Sequence, residues 1–212
     1  MSPCSGIPSR PASPPVWRDP RGISRGLAFP AADLAVKRLQ LLGEALPRAT
    51  RVAVLWHRTR EEGQLKAVRD AASSLKFQVI SLEVRNIPGD LDEAVRMATQ
   101  QHVEALLVLS SPAFFPERKH LADLSLKHRL PTSFPREAYA EAGGLMAFGA
   151  DIPRMWRRLG DYADRILKGA RPSDLPIEEP DTFELVVNLK TAKGLGLTLP
   201  PALLARANRV IE

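Results

Sequence analysis

The chain alternates short apolar segments with stretches of helical periodicity, and this alternation constrains the fold more than any other feature of the sequence. Four apolar segments have the length of buried strands: 51–56, 77–84, 103–109 and 131–134. Between the first two, apolar side chains recur at helical spacing, at Leu65, Val68, Ala72 and Leu75. Strands joined by helices typically form parallel sheets through crossover connections. The sequence therefore predicts an α/β lobe with a doubly wound parallel sheet of at least four strands over residues 34–141.

Residues beyond this lobe follow a less regular pattern. Gly143 and Gly144 allow the chain to change direction before a short strand at 145–148, so we expect a lobe boundary there. Residues 153–168 place aromatic and aliphatic side chains on one face, which predicts an amphipathic helix that ends at Gly169. An extended segment at 183–187 and short helices at 190–195 and 202–206 complete the chain.

One helix start carries a local signal. Residues 88–90 read as a turn before a helix at 91–101, and Asp90 is expected to cap that helix with its side chain.

Charge and composition exclude several classes of protein. The net charge is +6, but basic and acidic residues are interspersed along most of the chain, without a stripe of basic and aromatic residues. We therefore expect no nucleic acid partner. The single cysteine, Cys4, excludes an internal disulfide. Residues 1–21 are rich in Pro, Ser and Arg and lack the apolar run of a signal peptide, and we predict that the tail at 1–25 is disordered.

Motifs for cofactor and enzyme chemistry are missing from the expected positions. The turn after the first strand has no glycine before Gly63, so a dinucleotide-binding loop is not predicted. The sequence contains neither a nucleophile elbow nor a phosphate-binding P-loop. None of the 4 histidines pairs with another at a spacing of four residues, the spacing that would place two imidazoles on one helix face for zinc. We expect no cofactor, no metal and no catalytic residues.

A ligand site is predicted where the parallel strands end, because ligands collect at the carboxyl ends of strands in open α/β sheets. The serine hydroxyls at these turns can donate or accept hydrogen bonds, Arg136 and Glu137 can meet the charged groups of a zwitterion, and the phenylalanines can cover an apolar part. Turn formation, a solvated helix start and core packing are the competing interpretations. The candidate binding residues are His57, Thr59, Ser110, Ser111, Pro112, Phe134, Arg136, Glu137, Phe148 and Gly149.

Several segments carry a family resemblance. They are Lys-Arg-Leu-Gln-Leu-Leu at 37–42, the strand at 51–56, Gly-Gly-Leu-Met-Ala-Phe-Gly at 143–149, Ile-Leu-Lys-Gly-Ala-Arg-Pro at 166–172, and the run at 183–193. Over residues 26–212 the chain resembles substrate-binding proteins of ABC transporters, the tryptophan-binding-like group with a type I periplasmic-binding-protein fold. His57 departs from the asparagine expected at its position.

The resemblance implies a two-lobed clamp that binds a small organic solute, an amino acid among the candidates, and presents it to a membrane permease. Family members open with an export signal and a first lobe, and residues 1–25 resemble neither, so we predict an N-terminally truncated member. Its predicted parts are a non-family tail (1–25), the C-terminal lobe (26–142), a segment of the largely missing N-terminal lobe (143–171) and a return to the C-terminal lobe (172–212). Intact relatives are periplasmic, and this chain as written is expected to stay in the cytoplasm.

Two alternatives from other classes remain open at this point. The effector domain of a sugar- or purine-responsive repressor shares the fold class, although residues 1–30 contain no helix-turn-helix pattern. A small α/β enzyme is the other, and turnover or a bound metal would identify it.

Overall fold

A mostly parallel sheet lies at the centre of the structure. The computed structural model describes residues 29–58, 61–171, 174–176 and 178–212. Its strands are β1 (Arg51–His57), β2 (Gln78–Val84), β3 (Ala105–Val108), β4 (Thr132–Phe134), β5 (Met146–Ala150), β6 (Phe183–Asn188) and β7 (Arg209–Ile211). They lie in the order β2-β1-β3-β4-β5-β6-β7, and only β5 and β6 pair in the antiparallel sense. The predicted α/β fold, with four parallel strands before residue 141, is confirmed.

Helices cover both faces of this sheet. On one face pack α1 (Ala31–Ala45), α2 (Glu62–Ala72), α7 (Leu189–Leu195) and α8 (Pro201–Leu204). The other face carries α3 (Leu91–Gln100), α4 (Arg118–Lys127) and α5 (Glu137–Glu141). Consecutive residues of β1 alternate between the two cores, with Val54 in one and Leu55 in the other. Burial on both faces explains why the strands are continuously apolar in sequence.

The described residues divide into two compact units. The sheet unit is Phe29–Ile152 with Pro180–Glu212, and the helical unit is Pro153–Glu179. The predicted tail at 1–25 and the boundary predicted at 172 lie outside the described residues, as does Thr59. The prediction that the chain stays in the cytoplasm concerns that tail and stays a prediction.

The predicted lobe boundary at Gly143 and Gly144 is wrong. The strand that follows them, β5, pairs with β4 on one side and with β6 on the other, so it is an interior strand of the sheet unit. The glycines serve a tight connection instead of a lobe crossing. A Cβ on Gly144 would lie 2.5 Å from the Phe134 ring and 2.8 Å from the Tyr139 carbonyl oxygen. The chain leaves the sheet unit only after Ile152.

The side chain of Asp90 does not cap α3 as expected. It accepts hydrogen bonds from the backbone N–H groups of Arg85, at 3.2 Å, and Asn86, at 2.9 Å. It therefore stabilises the loop before the helix, and these bonds lower the pKa of its carboxyl.

In the helical unit, α6 (Ile152–Leu167) is bound to the residues that follow it. Arg158 donates to both carboxylate oxygens of Glu178, at 2.6 Å from Nε and 2.5 Å from Nη2, and the Tyr162 hydroxyl donates to the Pro176 carbonyl at 2.8 Å. The predicted helix is confirmed, but on its predicted apolar face only Tyr162 is buried, and Trp156 is 68% exposed. Throughout the described ranges, no helix is both long enough and apolar enough to span a membrane.

Candidate functional site

The loops that follow β1, β3, β4 and β5 share one edge of the sheet, because these strands are parallel to one another. We call this the C-terminal edge. In the order β2-β1-β3, the strand that follows β1 in sequence lies on one side of it and the next strand lies on the other side. The order of the strands therefore reverses at a topological switch point between β1 and β3. Ligands of doubly wound sheets bind at such points. All the predicted binding residues that the structure describes lie at or beside this edge.

Gln64 ties the β1 and β3 sides of the edge together. Its amide Nε2 donates to the Ser110 carbonyl at 2.9 Å, and its Oε1 accepts from the Ser110 N–H at 3.0 Å. This paired bond satisfies both backbone groups of Ser110. Because Gln64 lies in the first turn of α2 and is itself buried, it fixes the position of the helix against the β3 loop. Gln64 was not predicted from the sequence.

Glu61 lies beside Gln64 and is only 1% exposed. Its Oε2 accepts from the His57 N–H at 2.8 Å, and Ser111 provides a second hydrogen bond. Burial raises the pKa of the Glu61 carboxyl, and the two hydrogen bonds oppose that rise. The carboxylate thus holds the turn after β1 in place.

The predicted serines have local roles in the turn after β3. The Ser111 hydroxyl accepts from the Ala113 N–H at 3.3 Å and caps a short 3₁₀ helix, Pro112–Phe114. Phe114 is buried, and its ring meets the His57 imidazole edge to face with centroids 6.4 Å apart. The structure therefore brings together His57, Ser110, Ser111 and Pro112, as predicted.

The two predicted phenylalanines differ in position. Phe134 is fully buried and stacks on Tyr139 with centroids 5.0 Å apart, so it is a core residue and its predicted ligand contact is wrong. Phe148 is half-buried and stacks on Phe183 at 6.0 Å. Gly149, near the end of β5, allows that strand to approach the backbone after β4: a Cβ there would lie 2.1 Å from the Pro135 carbonyl oxygen.

Arginines gather around Phe115 on the β4 side of the edge. The guanidinium carbon of Arg118 lies 4.9 Å from the Phe115 ring centroid, and that of Arg136 lies 5.1 Å from it. Arg118 also donates to the Phe115 carbonyl at 3.2 Å. Glu137, half-buried, begins α5 directly after Arg136. Arg136 and Glu137 were predicted from the sequence, and Phe115 and Arg118 were not.

A third arginine, Arg38, is fully buried in α1. Its Nη1 lies 3.5 Å from the Phe148 carbonyl oxygen, and its Nε and Nη2 have no hydrogen-bond partner among the residues that the structure describes. Burial lowers the pKa of Arg38 to about 9. A buried guanidinium with two unused donor atoms is costly, and it adds positive potential at this side of the edge.

Comparison with known proteins identifies the family. A profile of "ABC transporter substrate binding protein" sequences matches residues 22–211. The chain belongs to this family.

Individual relatives of this substrate-binding protein are distant. A tyrosine-binding protein of Clostridioides difficile (strain R20291) is 19% identical over 163 residues, which are 76% of this chain and 47% of that protein. A domain crystallised with L-Trp from Streptococcus pneumoniae shares the fold with a TM-score of 0.78 at 22% identity, over 88% of this chain and 64% of that one. A conserved domain protein of Vibrio cholerae gives 0.78 at 20% identity, over 88% and 62%. The chain thus spans about half the length of the curated relative.

Membership confirms the resemblance of the sequence to substrate-binding proteins and its periplasmic-binding-protein fold. It does not favour the repressor effector domain as an alternative. The family consists of binding proteins and is not an enzyme family. Within the part of the chain that the structure describes, no group of three or more His, Cys, Asp or Glu side chains could hold a metal ion.

Proposed function

We propose that this protein binds a small organic solute at the C-terminal edge and that an aromatic amino acid is its ligand. The observation that carries the proposal is the convergence at one edge of the loops after β1, β3, β4 and β5, with the first two tied by Gln64. The half-buried Phe148, stacked on Phe183, provides an apolar surface for an aromatic side chain. The names of the tyrosine-binding relative and of the L-Trp complex support this ligand class.

The site is suited to binding rather than to catalysis. The polar groups described at this edge hold its loops in place. Gln64 binds both backbone groups of Ser110, and the Ser111 hydroxyl accepts from the Ala113 N–H. Glu61 hydrogen-bonds Ser111 and accepts from the His57 N–H. We therefore assign no catalytic residue, and the proposal includes no cofactor.

The proposed partner is the membrane permease of an ABC importer. The chain covers less than two thirds of the length of the related structures. We therefore assign the opposite wall of the cleft to the part of those structures that this chain does not match. We assign residues 153–171 to that second lobe. Closure of the lobes on the ligand would create the surface that the permease binds. The family is normally periplasmic, and the proposed place of action is outside the inner membrane.

Calorimetric titration of the chain with L-Tyr, L-Trp and L-Phe tests the proposal, with D-ribose as the control solute. We expect saturable binding of at least one aromatic amino acid, at modest affinity because one lobe supplies only part of the contacts. Phe148→Ala should weaken it by about tenfold, since aromatic side chains dominate such contacts. Met97→Ala, which removes an exposed apolar side chain from α3, should not. Absence of saturable heat for all three amino acids, or equal binding of D-ribose, would contradict the proposal.

A further inference from the structure

The arginines around Phe115 form an arrangement that the family assignment does not explain. Arg118 and Arg136 come from different elements, the first residue of α4 and the residue before α5. Both place their guanidinium against the same phenyl ring, at 4.9 and 5.1 Å from its centroid. All three residues are half-buried. The ring therefore holds two cations in fixed positions at the C-terminal edge.

These two cations repel each other. Since both lie near one ring centroid, their charged carbons are at most about 10 Å apart, a separation close to the Debye length of physiological saline. Among the described residues, no ion pair joins Arg118 or Arg136 to a carboxylate; the arginines that are paired in this unit lie elsewhere, such as Arg96 with Glu93 on α3. The repulsion is thus not offset by an ion pair with any of the described residues.

The surroundings add to the positive potential. Tyr139 meets the Phe115 ring edge to face at 6.1 Å. Burial raises the pKa of the Tyr139 hydroxyl, and the positive charges of Arg136, Arg118 and Arg38 oppose that rise, so all three cations act at one place. Arg38 contributes a fully buried guanidinium whose Nε and Nη2 are unpaired.

We propose that Phe115, Arg118 and Arg136 form a subsite that binds the carboxylate group of the ligand. The proposal rests on the proposed function and narrows it, because it requires the solute to be a carboxylate rather than a neutral sugar or amide. A guanidinium held against an aromatic ring still has N–H groups in its own plane that match the two oxygens of a carboxylate. Arg118 uses Nη1 for the Phe115 carbonyl and keeps its other nitrogens for the ligand. The anion offsets the repulsion between the two arginines.

Nuclear magnetic resonance of the arginine Nε–H groups tests this subsite directly, with phenylacetate as the probe and phenylacetamide as its neutral match. In the wild-type chain we expect phenylacetate to shift the Arg118 and Arg136 signals in a saturable way and phenylacetamide to leave them unchanged. Arg118→Gln and Arg136→Gln should each weaken phenylacetate binding by at least about tenfold, the usual cost of a lost hydrogen bond to a charged group. Arg96→Gln removes one positive charge from α3 and should leave the affinity unchanged.

Several results would overturn the subsite: no saturable shift with phenylacetate, equal shifts with phenylacetamide, or affinities of both glutamine variants within twofold of wild type. The signal shifts are measured in the wild-type chain without any substitution. They therefore test the subsite even if a substitution disturbs folding. Failure of the two proposals is distinguishable. Binding of an aromatic amino acid that survives Arg118→Gln and Arg136→Gln would leave the proposed function and remove the subsite. Saturable phenylacetate binding without amino acid binding would support the subsite and contradict the proposed function.

Discussion

The two sides of the C-terminal edge satisfy their polar groups in different ways. On the β1 and β3 side, Glu61 and Gln64 are hydrogen-bonded to the neighbouring loops, so that side is fixed by internal contacts. On the β4 and β5 side, Arg38 keeps unpaired nitrogens, and Arg118 and Arg136 face one ring without a carboxylate among the described ion pairs. The first side supplies a rigid wall, and the second side supplies unused donors. Rigidity and affinity for an anion are thus separated along one sheet edge.

The largest expected effect comes from the β4 and β5 side. Gly149→Ala would place a Cβ 2.1 Å from the Pro135 carbonyl oxygen, so the backbone must move. We expect a loss of about 3 kcal/mol or more in the free energy of unfolding, measured by urea denaturation, because this clash exceeds ordinary overpacking. Gly63→Ala in α2, where no atom lies within 4 Å of the added Cβ, is the control and should not destabilise. Equal effects at the two glycines would show that the close approach is not a constraint.

Removing the buried charge of Arg38 should instead increase the free energy of unfolding. Arg38→Met replaces a fully buried guanidinium with an apolar side chain of similar length, and we expect a gain of about 2 kcal/mol at pH 7. Since burial lowers the pKa of Arg38 to about 9, the folded state sheds this proton before the unfolded state does. The charge therefore destabilises the wild type below that pH, and the penalty is relieved as pH rises through it.

The difference in stability between Arg38→Met and wild type should accordingly shrink between pH 7 and pH values above about 9. Paired urea titrations at each pH measure it, and groups common to both proteins cancel. A variant less stable than wild type at pH 7 would mean that Arg38 has partners that offset its burial.

On the β1 and β3 side, loss of the paired bond should cost less than the Gly149 clash. Gln64→Ala leaves the Ser110 N–H and carbonyl without their partner, and we expect a loss of about 1–2 kcal/mol. Gln100→Ala, at the exposed end of α3, is the matched control and should change stability by less than about 0.5 kcal/mol. Amide hydrogen exchange at Ser110 should quicken in the first variant alone. An unchanged exchange rate would contradict the proposed tie between the loops.

The smallest expected effect concerns Glu61. Because the folded-state pKa of its carboxyl is raised, its contribution to stability is greatest below the ordinary value of 4.5 and falls as pH increases through the folded value. Glu61→Gln should remove that fall, as measured by urea denaturation across the acid range. Glu62→Gln, at the exposed neighbouring position, should retain the wild-type dependence. Identical pH profiles for wild type and Glu61→Gln would refute the assignment.

The sequence was sufficient to predict the sheet where apolar runs are buried on both faces. Such runs predict β1 to β4, whereas Gly143 and Gly144 resemble a crossing point and predict that β5 belongs to another lobe. In the structure Gly144 makes a close approach to Phe134 and Tyr139, a constraint that only the packed chain reveals.

The site was predicted in part, for a related reason. Strand ends are visible in a sequence, so His57, Ser110 and Arg136 were identified, but partners such as Gln64 and Ser110 are 46 residues apart and meet only in the fold. Arg38 had a readable signal: helical spacing from Leu34 through Leu41 to Ala45 puts it on the buried face of α1. A charged residue on the buried face of a helix is unusual, so Arg38 could have been identified from the sequence.

The antiparallel pairing of β5 and β6 has a consequence for the architecture as a whole. Ala150 lies opposite Phe183, and the Asp151 N–H donates to the Thr182 carbonyl at 3.1 Å, so the outgoing and returning chains leave the sheet side by side. The segment between them is therefore an insertion in the sheet unit, and its two ends lie next to each other. A tight turn of a few residues can join these ends. A single deletion could thus remove the insertion and leave every strand pairing of the sheet unit in place.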